Sequence, residues 1–258
     1  VLAAIVWGLV QGITEFLPIS SDGHLVVVPA FLRELGIDVP TPSLAVTAVL
    51  HLGTLIAVLA YFRDDVMAVL KMRSNLEGRK IALLVLIGTI PAVLIGLSFR
   101  SRIETLQENV ALVGFFLICN GMVLVVGQWL ARGARQLIDG RIPDAVVIGI
   151  AQVFALLPGI SRSGTTISAG NGRRFEPAQA ARFSFLLGIP AIAGAGLISL
   201  PEVIEEGVFG IELLVGFVAA AVSGYFAIAL LLRALRRVGL IPFAIYCFVV
   251  GSLTVAFL

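Results

Sequence analysis

Several ionisable residues lie deep in apolar sequence: Glu15, Asp22, His24, His51 and Arg162. A charge held in hydrocarbon is expensive, so each is a candidate functional group. The run Ser161-Arg162-Ser163-Gly164-Thr165-Thr166 supplies one guanidinium and several hydroxyls in a glycine-flanked turn. At a helix start such a turn also offers backbone N–H groups, and together these suit a phosphate. A plain capping turn would explain the serines but not a buried arginine. Gln11 and Glu15 are four residues apart and share one helix face. Glu15 has the chemistry of a cation ligand or a base, whereas Gln11 brings hydrogen bonds but no charge. In Ser20-Ser21-Asp22-Gly23-His24, serine hydroxyls sit near an imidazole. Serine needs such a base to attack at neutral pH. The bland reading pairs Glu15 with Arg162 for structure alone. His51 reads as a packed, hydrogen-bonded helix residue rather than a catalyst.

These groups need a frame. The 258 residues are 59% hydrophobic and only 13% charged, with a mean hydropathy of +1.06. Soluble domains carry about 25% charged residues. So much apolar surface cannot be hidden from water in a chain this size, and the solvent must be lipid. Both cysteines sit in apolar runs and read as small hydrophobes, neither a disulfide framework nor a metal pair. Residues 1–16 lack a basic leader and a cleavage site, so no signal peptide is expected there. Six stretches are long enough to span a bilayer: residues 43–62, 81–99, 109–130, 178–200, 211–232 and 241–258. Two further apolar regions, 2–30 and 145–169, are broken by Pro/Gly turns at 17–24 and 157–165. Such breaks at membrane depth are tolerated only inside protein or beside a wet cavity. Each region is therefore expected to be a re-entrant helical hairpin.

The basic residues follow a pattern. Arg63, Lys71, Arg73, Arg79 and Lys80 follow the first span, and Arg132, Arg135 and Arg141 follow the third. Arg173, Arg174 and Arg182 follow the second hairpin, and Arg233, Arg236 and Arg237 precede the last span. The positive-inside rule makes all of these cytoplasmic. The other side keeps Arg33, Arg100 and Arg102, and residues 201–210 hold three glutamates and no cation. The pattern closes only if the hairpins enter from opposite faces. The halves also echo each other: Gln11, Leu17-Pro18, Ser20 and Gly23 parallel Gln152, Leu157-Pro158, Ser161 and Gly164. The expected fold is an all-α polytopic membrane protein of six transmembrane helices plus two re-entrant hairpins. They form one integral membrane domain, 1–258, with inverted-topology repeats over about 1–130 and 144–258. Inverted repeats place a polar site near the midplane, where broken helices meet. A transporter or lipid flippase could use the same pocket. A scaffold would leave the Ser/Arg/His/Glu set unexplained.

Residues 11–24 (Gln-x-x-x-Glu-Phe-Leu-Pro-Ile-Ser-Ser-x-Gly-His) and 157–166 (Leu-Pro-Gly-Ile-Ser-Arg-Ser-Gly-x-Thr) resemble the two signature motifs of the bacterial undecaprenyl-diphosphate phosphatase family, linked to bacitracin resistance. Residues 51–54 and 180–187 are similar to that family as well. The resemblance implies hydrolysis of undecaprenyl diphosphate to the monophosphate, recycling the lipid carrier of peptidoglycan. It implies a bacterial plasma membrane location with a site open to the extracytoplasmic side, and a divalent cation, Mg²⁺ or Ca²⁺. The catalytic set it suggests is Glu15, Ser21, His24 and Arg162, with Glu15 as a metal ligand. Phosphate binding falls to Gln11, Ser161, Arg162, Ser163 and Thr166. Gln11 stands where many members carry Glu, and Asp22 where a small neutral residue is usual. The expected partners are a polyprenyl diphosphate lipid, membrane lipids and a second copy of the chain, with no nucleic acid.

Overall fold

The computed structural model describes residues 1–37, 39, 41–206 and 210–258. The acidic stretch 201–210 therefore lies partly outside the described residues. The described chain is helical throughout: α1 (Leu2–Phe16), α2 (Ser21–Glu34), α3 (Leu44–Tyr61), α4 (Arg63–Leu70), α5 (Leu76–Gln107), α6 (Val110–Leu130), α7 (Ile142–Phe154), α8 (Arg162–Gly172), α9 (Pro177–Ile198), α10 (Leu200–Glu206), α11 (Ile211–Arg237) and α12 (Ile241–Phe257), with a 3₁₀ turn at Leu137–Asp139.

Five helices, α3, α5, α6, α9 and α11, are long and apolar enough to cross a membrane. The twelfth, at 17 residues, is just shorter. Outward faces are apolar: Leu86, Leu94, Trp129 and Phe226 are each more than 60% exposed. In water such a surface would drive aggregation, so lipid is its solvent. The chain is thus a polytopic, all-α membrane protein. The observed helices follow the expected spans closely. The exceptions are α11, which runs on to Arg237, and α5, which runs on to Gln107 through a kink at Phe99, where φ −121° and ψ 17° leave the helical region. The short helices α4 and α10 follow α3 and α9 directly. Both fall in mixed sequence that lacks a full apolar span.

Packing pairs distant segments. α1 lies against α11, and α7 against α5. α3 packs on α11, while α9 touches both α3 and α5; α6 pairs with α12. Close contact comes from small residues: a Cβ on Gly53 of α3 would sit 2.5 Å from the carbonyl oxygen of Phe217 on α11. Small residues at helix crossings are how membrane helices approach without a hydrophobic driving force.

Polar contacts gather the basic connections at one end. Arg182 pairs with Asp65 and with Glu77, tying α9 to α4 and α5. Lys80 donates to the Ile138 carbonyl. Asp144, in the first turn of α7, accepts from Arg135 Nη2 at 2.8 Å and from Arg173 Nε at 2.7 Å. The start of α7 and the end of α8 are therefore side by side. Burial pushes the Asp144 carboxyl up, but the hydrogen bonds from Arg135 and Arg173 reverse this and hold it below its ordinary pKa. Gln128, at the end of α6, accepts from the Leu240 N–H at 2.6 Å. At the other end, a cavity is shared by Pro29 and Arg33 of α2, Leu44 of α3 and Val110 of α6, and Val1 pairs with Glu212.

Candidate active site at the meeting of two helix breaks

Both breaks are built alike. Proline cannot extend α1, and Leu17 just before it turns extended, with ψ 144°. Ser20 then takes a left-handed φ of 72°. Its Oγ accepts from the Gly23 N–H at 3.3 Å and caps α2. In the second break Gly159 takes a φ of +103°. Ser161 Oγ accepts from the Gly164 N–H at 3.1 Å and caps α8. The two turns touch. A Cβ on Gly23 would lie 3.2 Å from Gly159 Cα, and Ser163 Oγ donates to the Leu17 carbonyl at 3.2 Å.

Across this contact Arg162 Nη2 meets Glu15 Oε1 at 2.9 Å. The Arg162 Nη1 donates to the Ser184 carbonyl on α9 at 3.2 Å. Gly188, one turn along α9, lies under the guanidinium: a Cβ there would sit 2.7 Å from Arg162 Cζ. The other carboxylate oxygen of Glu15 accepts from Ser21 Oγ at 2.7 Å and from Gln11 Nε2 at 3.0 Å. Glu15 is only 8% exposed. A charge so buried is tolerable only when paired and hydrogen-bonded, and here both oxygens are.

Four sequence candidates, Gln11, Glu15, Ser21 and Arg162, thus form one contiguous set. The others stand one layer away. His24 turns its Nδ1 to the Ser20 carbonyl at 2.7 Å and its Nε2 to the Tyr246 hydroxyl at 2.7 Å. A carbonyl only accepts, so Nδ1 carries the proton and Nε2 accepts from Tyr246. Ser161 and Ser163 share a hydrogen bond at 3.0 Å behind Arg162. Thr166 Oγ1 bonds Ser184 Oγ at 2.6 Å. The Ser21 hydroxyl thus faces a carboxylate, and the His24 imidazole is engaged elsewhere.

His51, which the sequence reads as a packed helix residue, lies beside this set. Its Nδ1 bonds the Thr47 carbonyl at 2.9 Å, as a packed helix histidine would. Its Nε2, however, faces Glu15 Oε2 at 3.5 Å and Asp22 Oδ1 at 3.7 Å. A polar His-Leu-Gly-Thr step inside an apolar span was the available signal. Ser184 lies in the run 180–187 that is similar to the family, whereas Tyr246 carried no signal, being an ordinary residue of an apolar helix.

The donor set suits a hard cation. Gln11 Oε1 is buried without a hydrogen-bond partner, next to the Glu15 carboxylate and the Ser21 hydroxyl. All three are oxygen donors, the type that Mg²⁺ and Ca²⁺ prefer. Among the described residues no group of three His, Cys, Asp or Glu side chains forms a closed metal cage.

Fold and site together define a class: a polytopic membrane protein whose buried carboxylate, serine and guanidinium converge where two broken helices meet. The chain belongs to the family of the bacitracin resistance protein BacA, whose family model matches residues 4–253. Curated relatives span nearly the whole chain. The undecaprenyl-diphosphatase of Halothermothrix orenii is 41% identical over 251 residues, covering 96% of this chain and 94% of that protein. That of Rubrobacter xylanophilus is 41% identical over 269 residues, covering 100% and 98%. That of Methanosphaera stadtmanae is 37% identical over 273 residues, covering 99% and 97%.

Proposed function

We propose that this protein hydrolyses undecaprenyl diphosphate to undecaprenyl phosphate and inorganic phosphate in a bacterial plasma membrane. The observation that carries this reading is the Glu15–Ser21–Arg162 contact across the two helix breaks, in a chain whose relatives bear the undecaprenyl-diphosphatase name.

The polyprenyl tail stays in lipid and the diphosphate enters the polar set. Arg162 exchanges part of its pairing with Glu15 for the phosphoryl oxygens and stabilises the charge that spreads over them. Ser21 Oγ attacks the terminal phosphorus and passes its proton to Glu15 Oε2, 2.7 Å away. The anhydride P–O bond breaks and the lipid monophosphate leaves with the proton held by Glu15. Water then attacks the phosphoserine and gives its proton to Glu15, which returns it to Ser21 Oγ as the P–Oγ bond breaks and inorganic phosphate leaves. His24 donates to the Ser20 carbonyl and so holds the turn that presents Ser21. Ser161, Ser163 and Thr166 fix the turn around Arg162 and offer further hydroxyls to the phosphate. Glu15 and Gln11 Oε1 would hold a Mg²⁺ or Ca²⁺, which when bound would neutralise phosphoryl charge.

The finer fold belongs to the same proposal. Two re-entrant hairpins, α1–α2 and α7–α8, and six spans form an inverted repeat, supported by the matching pairs α1 with α11 and α7 with α5. The α7–α8 ends lie at the basic end, whereas α2 ends at the opposite one. By the positive-inside rule the basic end is cytoplasmic, so the first hairpin opens outward and admits substrate from the extracytoplasmic side.

The test is phosphate release from polyprenyl diphosphate by the detergent-solubilised protein, with and without chelator. Release in micelles, where no second compartment exists, is the expected result. Its absence under any divalent cation would overturn the proposal.

A further inference from the structure

One side chain holds both breaks at once. Asn120, in the middle of α6, is fully buried. Its Nδ2 donates to the Pro18 carbonyl at 2.9 Å and to Cys247 Sγ at 3.3 Å. Its Oδ1 accepts from the Ser161 N–H at 3.0 Å. Pro18 is three residues before Ser21, and Ser161 is one before Arg162. The two groups it binds are main-chain atoms of the turns themselves. Neither turn can satisfy them internally: proline has ended α1 and the Ser161 N–H precedes α8. The fit is close on the other side too, since a Cβ on Gly164 would lie 3.2 Å from Asn120 Oδ1.

We propose that Asn120 is a positioning residue, which sets the register of the Ser21 turn against the Arg162 turn. This rests on the phosphatase reading above. The side chain touches no reacting atom. A primary amide is suited to the task because it donates and accepts in one plane, so a carbonyl and an N–H are spanned at fixed separation. The second link, Ser163 Oγ to the Leu17 carbonyl, is a single hydroxyl that can rotate. Asn120 supplies the rigid link. Phosphoryl transfer depends on placement, and a shift of order 1 Å costs roughly 10²-fold in rate.

A purely structural role would lower stability and leave the turnover of each folded molecule intact. A positioning role lowers kcat, leaves KM for the lipid nearly unchanged, and depends on Arg162. The experiment measures phosphate release per folded enzyme for wild type, Asn120→Ala, Arg162→Ala and the double variant. Asn120→Ala is expected to lose about 10²-fold in kcat. In the Arg162→Ala background the same change is expected to cost little more, because residues acting through one another are not additive. Asn171→Ala is the control: this buried amide donates to the Gly127 carbonyl at 3.1 Å, far along α8 from the turn, and its loss is expected to lower stability with kcat kept. If Asn120→Ala does not fold, Asn120→Asp is read the same way, since it keeps the volume and the acceptor but sets an oxygen against the Pro18 carbonyl. A kcat per folded enzyme near wild type, or a full additional loss in the Arg162→Ala background, would overturn the proposal. Wild-type protein that releases no phosphate would overturn it together with the phosphatase reading; an active wild type with an unaffected variant removes only the role of Asn120.

Discussion

The two helix breaks share a plan and divide the chemistry. Each has a helix bearing a buried glutamine, then Leu-Pro, then a serine that caps a second helix through a glycine N–H. In the first break Gln11 is followed by Glu15, and the pair is hydrogen-bonded. In the second, Ala155 and Leu156 stand where the acid would be, and neither polar atom of Gln152 has a hydrogen-bond partner among the described residues. The first break carries the acid and the hydroxyl bonded to it; the second carries the cation. A single scaffold, used twice, thus supplies opposite charges to one point. Neither break is a site alone, because a carboxylate or a guanidinium left unpaired in so dry a place is costly, and Glu15 and Arg162 pair across the two breaks.

Removing one partner at a time sharpens that division. Ser21→Ala should cost the most, at least about 10³-fold in phosphate release, as loss of a nucleophile does. Turnover close to wild type would make water the attacking group. Arg162→Ala should cost about 10²–10³-fold, comparable to losing a transition-state donor, in the same assay. A loss of only a few-fold would show that the second break does not bind the reacting phosphate. His51→Gln should cost about tenfold in kcat, since it removes a group facing both carboxylates without touching the serine. Away from the chemistry, Asp144→Asn should lower the thermal stability in detergent by about 2 kcal/mol, less than a fully buried ion pair because both arginines are partly exposed. The Asp144 carboxyl is held below its ordinary pKa. Its contribution is therefore complete above about pH 4 and is lost as pH falls through the lowered value. The variant should have a flatter acid-denaturation profile than wild type. Gln152→Leu should have the smallest effect and the opposite sign: unchanged kcat and stability raised by up to about 1 kcal/mol, because two unpartnered buried polar atoms are removed. The matching Gln11→Leu should instead impair turnover, which is the most direct comparison of the two breaks.

Much of this was legible in the sequence, for definite reasons. Long apolar runs fix the spans because a bilayer sets their length. Leu17-Pro18 and Leu157-Pro158 marked the breaks because proline cannot continue a helix. The meeting of Glu15 with Arg162 followed from an arginine too costly to leave unpaired. Three features were not legible. Ser21 faces Glu15 and not His24 because Ser20 takes a left-handed φ, which redirects the chain in a way spacing does not reveal. His51 reaches the carboxylates only through the packing of α3 beside α1. Asn120 sits in an apolar helix more than a hundred residues from Pro18, and no local pattern ties them.

Gly188 offers an experimental handle of a different kind. Its missing side chain leaves the space in which the Arg162 guanidinium lies. A methyl group introduced there would shift the cation while keeping its charge, its sequence neighbours and its turn. Arg162→Ala changes the charge and the shape together, whereas Gly188→Ala changes the shape alone. The helix opposite the reacting centre thus acts as a caliper, through which geometry can be adjusted separately from valence.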